Sequence, residues 1–580
     1  MKERVKAYLH NINTFRKYGF TSFCSEIENN EFHKIPDIET IRRVHIVSEK
    51  RLEEQRDHMF QERVKFSVIT PLYNTPKNYL IELLESLKAQ TYPEWELCLA
   101  DGSDAEHSYV GEICRDYQKK DSRIKYKILK KNQGISENTN ECLRLATGDY
   151  YGLLDHDDIL HPSALFEVMS VIEEQKADFV YTDEVKFSEN IEDIKSPYVF
   201  NFKPGFGKYD LRSHNFICHF TVFSKELLNG EKRLYRSEYD GSQDHDMVLR
   251  LTEKAENIVH IPKVLYYWRL HSNSVSQDIH SKNYAVDAAI RAVAEQLEQS
   301  GEKGIVKSNL PFLTIYRLKY EIKGSPLVSI VLHGFHNVSE IEKSIGKIVN
   351  NTDYRPVEFV YEGTKSLELE LPAGITVTNS SKTCNAEHKG KNWNKIIESA
   401  KGNYIVLMDT RSVPLNREWL QEMLMLCQRK DVGVVGPKIS YKDGRIAYAG
   451  AALWRDAKNK VKIIGSHDKI SDIGYEALLC HVRNTTCMLD TCMMFSKQSW
   501  KEVGGFPEDI SGYEDIGFCL RSLNAKKNNV WTCFSKIQYE GTHIFEKRRE
   551  EQQLLFENKY RDCFEKEKFF HPNWEYLGLV

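Results

Sequence analysis

Asp155-His156-Asp157-Asp158 follows directly on the apolar run Tyr150 to Leu154, and Asp101 closes another, Trp95 to Ala100. Carboxylate oxygens gathered at strand ends suit a hard cation, Mg2+ or Mn2+, that bridges phosphates. Taken singly, each acidic end reads equally as a helix cap or a solvated turn. The loop Pro71-Leu-Tyr73-Asn74 closes a third apolar run and so belongs to the same rim. Further along, Gly241-Ser-Gln243-Asp244 stands just before the helical pattern Met247-Val-Leu-Arg-Leu, where an acid is either a cap or a proton acceptor. Tyr266-Tyr-Trp268-Arg269-Leu-His271 then joins an aromatic ring, a cation and an imidazole, a set able to ligate a metal or a phosphate.

The elements that must position these residues alternate in type. Lys65-Phe-Ser-Val-Ile-Thr reads as a buried parallel strand, Tyr79 to Gln90 carries apolar residues at helical spacing, and Trp95 to Asp101 is a strand again. The pattern predicts a further strand over 124–129, a helix over 136–146 and a strand over 149–155. Strand, helix, strand in this order implies right-handed crossovers and a doubly wound sheet, whose ligands lie beyond the carboxyl ends of the strands. After Pro326 the sequence begins again: Gly402-Asn-Tyr-Ile-Val-Leu-Met-Asp409 repeats Gly148-Asp-Tyr-Tyr-Gly-Leu-Leu-Asp155. A period of about 260 residues is a duplicated domain, not a solenoid. The expected division is an N-terminal helical extension over 1–64, a first domain over 65–300, a linker over 301–325, a second domain over 326–545 and a C-terminal helical extension over 546–580. The last of these, from Phe545 to Phe556, reads as a charged helix with one apolar stripe.

Composition narrows the class. A net charge of −4 gives no field that would draw nucleic acid. No apolar stretch reaches the roughly 20 residues of a membrane span, and the charged start has no apolar signal core. The 13 cysteines are scattered without metal-ligand spacing and read as reduced core thiols. The expected setting is the cytoplasm, with peripheral contact at the inner membrane face.

In order along the chain, Pro71-x-Tyr-Asn, Asp101-Gly-Ser, Asn132-x-Gly134-Ile-Ser, Leu154-Asp-His-Asp-Asp, Tyr181-x-Asp-Glu, Gly241-Ser-Gln-Asp and Trp268-Arg-x-His resemble the motifs of family 2 inverting glycosyltransferases of the GT-A fold. The likeness covers nearly all of 66–275 and leans to the branch that builds bacterial rhamnose-containing and other surface polysaccharides. It implies an α/β chain of two tandem GT-A domains with Rossmann-like, doubly wound mixed sheets. It implies a UDP- or dTDP-linked sugar donor, an oligosaccharide or lipid-linked glycan acceptor, and Mg2+ or Mn2+. Asp101 would bind the pyrimidine and Asp155 the ribose, with Pro71, Tyr73, Asn74, Gly134, Trp268 and Arg269 completing the nucleotide-sugar site. Asp157 and His271 would hold the metal, and Asp244 would be the general base. The usual Glu-Asp pair is here Gln243-Asp244, so the base is kept and its neighbour neutralised.

The second copy resembles the same family with altered motifs. Asp101-Gly-Ser becomes Glu362-Gly-Thr, and Asp155-His-Asp157 becomes Asp409-Thr-Arg411, although Glu514-Asp515 and His543 persist. A guanidinium cannot ligate Mg2+. Either Arg411 pairs directly with a diphosphate in a working metal-independent site, or this copy serves acceptor binding, docking or homodimer formation. Two other classes stand beside the transferase reading: a nucleotidyltransferase, which should carry a glycine-rich basic loop near its first strand, and a glycan-binding scaffold. No such loop is present at Pro71 to Asn74.

Overall fold

A computed structural model describes residues 44–188, 190–195, 199–270, 283–363, 367, 369–380, 389–457, 459–545 and 549–576. A short helix, Glu49–Asp57, precedes the first strand. The first half contains β1 (Phe66–Leu72), β2 (Trp95–Asp101), β3 (Ile124–Ile128), β4 (Tyr150–Leu153), β5 (Ile159–Leu160), β6 (Phe179–Phe187), β7 (Val199–Asn201), β8 (Thr221–Ser224) and β9 (Ile258–Arg269). They form one sheet in the order β3-β2-β1-β4-β8-β6-β9-β5, with β7 paired to β6. Strands β1 to β4 are parallel, whereas β8 runs against both β4 and β6. All seven residues of β1 are buried, as an apolar β-branched run covered on both faces requires. The helix Lys77–Lys88 lays Leu80, Leu83, Leu84 and Leu87 on this sheet at the spacing of one helical face.

Where a bare connector was expected, β10 (Gly304–Asn309) and β11 (Phe312–Tyr320) form an antiparallel hairpin. Its second strand alternates, burying Ile315-Tyr316, Leu318 and Tyr320. The second half follows with β12 (Val328–His333), β13 (Val357–Glu362), β14 (Ile375–Ser380), β15 (Tyr404–Asp409), β16 (Ser412–Pro414), β17 (Val432–Tyr441), β18 (Ile446–Tyr448), β19 (Ala451–Leu453), β20 (Val461–Ile463), β21 (Arg483–Asn484), β22 (Cys492–Ser496) and β23 (Asn528–Tyr539). Its sheet order, β14-β13-β12-β15-β22-β17-β23-β16, repeats the first sheet strand for strand. The two halves are therefore a tandem duplication of one mixed α/β sheet.

One polar device is duplicated with the strands. Ser67 donates to buried Glu96 at 2.7 Å and accepts from the Gly148 amide at 2.9 Å. Ser329 donates to buried Glu358 at 2.6 Å and accepts from the Gly402 amide at 2.9 Å. A Cβ on Gly148 would meet the Lys65 carbonyl at 2.5 Å, so the close approach demands glycine. Burial alone would raise the Glu96 carboxyl, but Lys125 and Lys65 outweigh it and hold it down to about 2. A depressed carboxyl contributes stability that is present above its unfolded value and fades as pH falls through the folded one. Glu96→Gln is accordingly expected to lower the melting temperature at pH 7, with the gap to wild type closing between pH 4.5 and 2. A gap independent of pH would refute this.

The halves share a core. The helix Lys208–Ser213 of the first half docks on the second: Tyr209 donates its hydroxyl to Asp431 at 2.8 Å, Asn484 accepts from the Tyr209 amide at 3.0 Å, and His481 lies 2.8 Å from Asp210. Buried Arg212 bonds Gln296 beside it and Tyr320 of the hairpin. The C-terminal helix, Glu550–Lys559, differs from the striped helix expected. Leu554 and Leu555 face solvent, and Phe556 alone is buried, stacked on Tyr513 at 4.2 Å. No described helix is long and apolar enough to cross a membrane.

Candidate functional site

His219 forms the centre of the first half's rim, and sequence reasoning missed it. It follows Asn215-Phe-Ile-Cys just before β8, so it stands between β4 and β6. Its Nε2 lies 3.3 Å from Asp155 and its Nδ1 3.4 Å from Glu184. Burial opposes charge on this imidazole, but the carboxylates of Asp155 and Glu184 beside it prevail and push it well above the ordinary histidine value. Glu184 is itself fully buried, and its ionised form rests on Lys203, which donates at 2.9 Å, and on Asn201 at 3.0 Å. Lys203 also donates to the carbonyls of Ile217 and His219. The neighbouring Asp183 is held by His260 and His571, each at 2.8 Å, the latter from the C-terminal segment. Because His571 Nδ1 accepts from the Asn573 amide, its Nε2 carries the hydrogen given to Asp183.

The expected rim is assembled around this centre. Leu72 and Asp101 are paired at the ends of β1 and β2, and Asp155 follows β4 on the other side of β1. Thr75 Oγ1 and His156 Nδ1, 2.9 Å apart, tie the loop after β1 to the acidic loop. Pro71 is buried within β1, and Tyr73 is exposed beside it. Asn74 adopts a left-handed conformation and clasps Ser103 and Asp104. Asp101 is buried with both oxygens engaged, one by the Tyr126 hydroxyl at 2.7 Å and one by the Ser103 amide at 2.9 Å. It shapes the turn that carries Ser103.

Asp244 lies in the first turn of the helix Gln243–Lys254, where the helix dipole favours its negative charge. Asn215 donates to one of its oxygens at 2.9 Å, and Gln243 is turned back onto the Gly241 amide. Ser136 donates to Asp240, which brings the glycine-led helix start at Gly134 against the same turn. Gly134 has φ +88, a conformation glycine supplies without cost. Burial raises the Tyr235 phenol, and the charges of Asp244 and Asp155 both add to it. Asn215 bonds Asp244, and His219, four residues on, lies 3.3 Å from Asp155, so the single turn before β8 links the two carboxylates.

Among the described residues, Asp155, Asp158 and His219 offer ligand atoms within 4.8 Å of one another. Of the residues expected to hold the metal, Asp157 lies between Asp155 and Asp158 of this group in sequence, and His271 lies outside the described residues. Asp158 is buried, with its oxygens accepting from the Tyr266 hydroxyl at 2.6 Å and the Arg269 amide at 2.7 Å. Burial, then the charges of Asp157 and Asp155, push its carboxyl well above the ordinary range, so it shapes the loop. Half-exposed Asp155 and half-buried Asp157 are the solvent-facing acids, and hard oxygens in this setting fit a divalent cation. Arg269, expected at a phosphate, is instead fully buried, with Glu82 and the Asp157 carbonyl bonding its guanidinium between Tyr79 and Phe187. It positions the Asp157 loop from behind. Trp268 does border the centre, 5.1 Å from the His219 ring and beneath Lys186 at 4.7 Å.

The second half closes the same place with its own side chains. Arg411 donates to Asp409 from Nε at 2.9 Å and from Nη2 at 2.6 Å, a bidentate pair that spends the cation inside the chain. Asp515 is buried and accepts from the amides of Asp490 and Ile516. Glu362 ends β13 half-buried, and His543 is exposed.

Comparison with known proteins agrees with this reading of the first half. The model of "Glycosyl transferase family 2" matches residues 67–230. The chain is 31% identical over 491 residues to an uncharacterized protein of Sinorhizobium fredii, y4gI, covering 82% of this chain and 52% of that protein. It is 27% identical over 485 residues to the O-antigen biosynthesis protein RfbC of Myxococcus xanthus, covering 80% and 36% respectively. The chain thus spans about half or less of these relatives' length. Among solved structures it is similar to S. aureus TarS 1-349, at 22% identity and TM-score 0.33, over 40% of this chain and 65% of that one.

Proposed function

We propose, from the premise that this chain carries a glycosyl transferase family 2 domain over residues 67–230, that its first half transfers a sugar from a UDP- or dTDP-linked donor to a glycan acceptor with inversion. The setting is bacterial cell-surface polysaccharide synthesis, a reading supported by the relative named for O-antigen biosynthesis. The observation that carries it is the turn Asn215 to His219, which bonds Asp244 at one end and lies against Asp155 at the other. Asp244, oriented by Asn215, takes the proton of an acceptor hydroxyl. That oxygen attacks the anomeric carbon from the face opposite the nucleotide, the bond to the diphosphate oxygen breaks, and configuration inverts in one displacement. His219, 3.3 Å from Asp155, stands on the side where the diphosphate's negative charge develops. Asp155 and Asp157 would hold Mg2+ or Mn2+, which when bound supplies further charge to the diphosphate. The protein works from the cytoplasm on an acceptor at the membrane face.

In the second half the guanidinium of Arg411 is committed to Asp409, and Asp515 to backbone amides. We assign this half no turnover and give it a docking role. The test is nucleotide release by the purified chain from UDP-glucose, UDP-N-acetylglucosamine and dTDP-rhamnose with Mn2+. One donor should be turned over, chelation by EDTA should abolish its release, Asp155→Ala should cut it at least tenfold, and Arg411→Ala should leave it intact. Full release in EDTA would exclude the metal, and loss in Arg411→Ala alone would move the activity to the second half.

A further inference from the structure

The second half reaches into the first half's cleft with a single turn. The loop before β21 turns through Gly474 at φ +69 into Glu476 and Ala477, both left-handed at φ +46 and +61. Two consecutive non-glycine residues in this region are unfavourable and persist only where the surroundings impose them. The anchor is Tyr475: its hydroxyl accepts from the Phe202 amide at 2.9 Å and donates to the Phe200 carbonyl at 2.7 Å. Those groups flank Asn201 of β7, whose side chain bonds Glu184, and β7 pairs with β6 at Lys186. Trp574 fixes the same stretch by donating to the Phe202 carbonyl at 3.0 Å.

The result is a carboxylate, Glu476, that follows directly on the anchored Tyr475 and so stands at the strand whose Asn201 bonds Glu184 of the first half. Glu476 is exposed, and among the described residues it makes no hydrogen bond or ion pair. Burial by the surrounding chain raises its carboxyl, with Lys186 opposing, on the β6 and β7 wall of the site. Lys186 lies over Trp268, whose ring adjoins His219.

Position in the sheet says which substrate this wall faces. Asp101 ends β2, two strands from β4 and Asp155 on one side, while β6 lies two strands from β4 on the other. At about 4.8 Å per strand, each step is roughly 10 Å. In the proposed reading the acceptor hydroxyl meets Asp244, which Asn215 ties to the turn that ends at His219 beside Glu184 of β6, so the β6 and β7 side belongs to the acceptor. A free carboxylate on such a wall accepts hydrogen bonds from sugar hydroxyls.

We propose that Glu476 of the second half is an acceptor-binding residue of the first half's site, its carboxylate accepting from hydroxyls of the acceptor glycan. The duplicated domain thereby completes the active cleft that its partner cannot close alone. This rests on the transferase reading above. The test uses the full chain with the donor released fastest, measuring nucleotide release alone and with a pool of 4-nitrophenyl mono- and disaccharide glycosides. The variants are Glu476→Gln and Glu476→Asn, the second because asparagine tolerates the left-handed turn.

Release without glycoside should match wild type in both variants, and the glycoside concentration for half-maximal stimulation should rise at least tenfold with the donor KM unchanged. Unaltered glycoside dependence in both variants would overturn the proposal, as would wild-type release that no glycoside stimulates. Absence of any donor turnover by wild type would instead remove the transferase reading itself.

Discussion

Asp244→Asn should lower sugar transfer by roughly 10²–10⁴-fold while leaving donor binding where it was. Asparagine keeps the shape of the side chain and its place in the first helical turn, but it cannot accept the hydroxyl proton. Asn215 already occupies one oxygen of Asp244, so the other is the one available to a substrate. The matched control is Asp515→Asn at the corresponding place in the second half, where both oxygens are engaged with backbone amides. That variant should transfer sugar at the wild-type rate. Initial rates with titrated donor decide the matter: a fall of less than tenfold in Asp244→Asn means the proton goes elsewhere.

A second large effect is expected on stability. Lys203→Met removes the cation beside Glu184 at a site where neither side chain touches water. Breaking a buried pair by deleting one partner costs about 3–5 kcal/mol, because the remaining charge has no solvent to return to. The carbonyls of Ile217 and His219 also lose their donor. The measurement is thermal unfolding followed by nucleotide release at a permissive temperature. The double variant Glu184→Gln with Lys203→Met has no stranded charge and should recover most of the lost melting temperature. It should not recover turnover, because His219 would lose one of the two carboxylates that keep it charged and oriented. A Lys203→Met protein as stable as wild type would show that Glu184 is uncharged in the folded state.

How much of this could be read beforehand depends on how local each cause is. The rim was legible because Asp101 and Asp155 close apolar runs, and a buried parallel strand delivers its last residue to one edge. The duplication was legible in Gly402 to Asp409, and the sheet orders extend it to every principal strand. Arg269 misled because a cation beside aromatic rings reads as a phosphate contact, whereas its burial against Glu82 depends on a helix nearly two hundred residues earlier. His219 gave no pattern at all. Its role arises from standing between β4 and β6, strands brought into register by pairing across β8. Glu96 and Glu358 look like surface acids in strands, and only the serines at matching separations reveal them as buried partners. Glu476 was invisible for the same reason as the docking of the halves: its neighbours are set by tertiary packing.

The imidazole of His571 donates to Asp183 across a separation of 388 residues, and this carries a consequence for synthesis. A chain synthesised only through the first sheet has Asp183 beside His260 without its other donor. Until His571 emerges, the strand bearing Asp183 and Glu184 lacks that brace. The first sheet is thus completed only by a residue that follows the whole of the second.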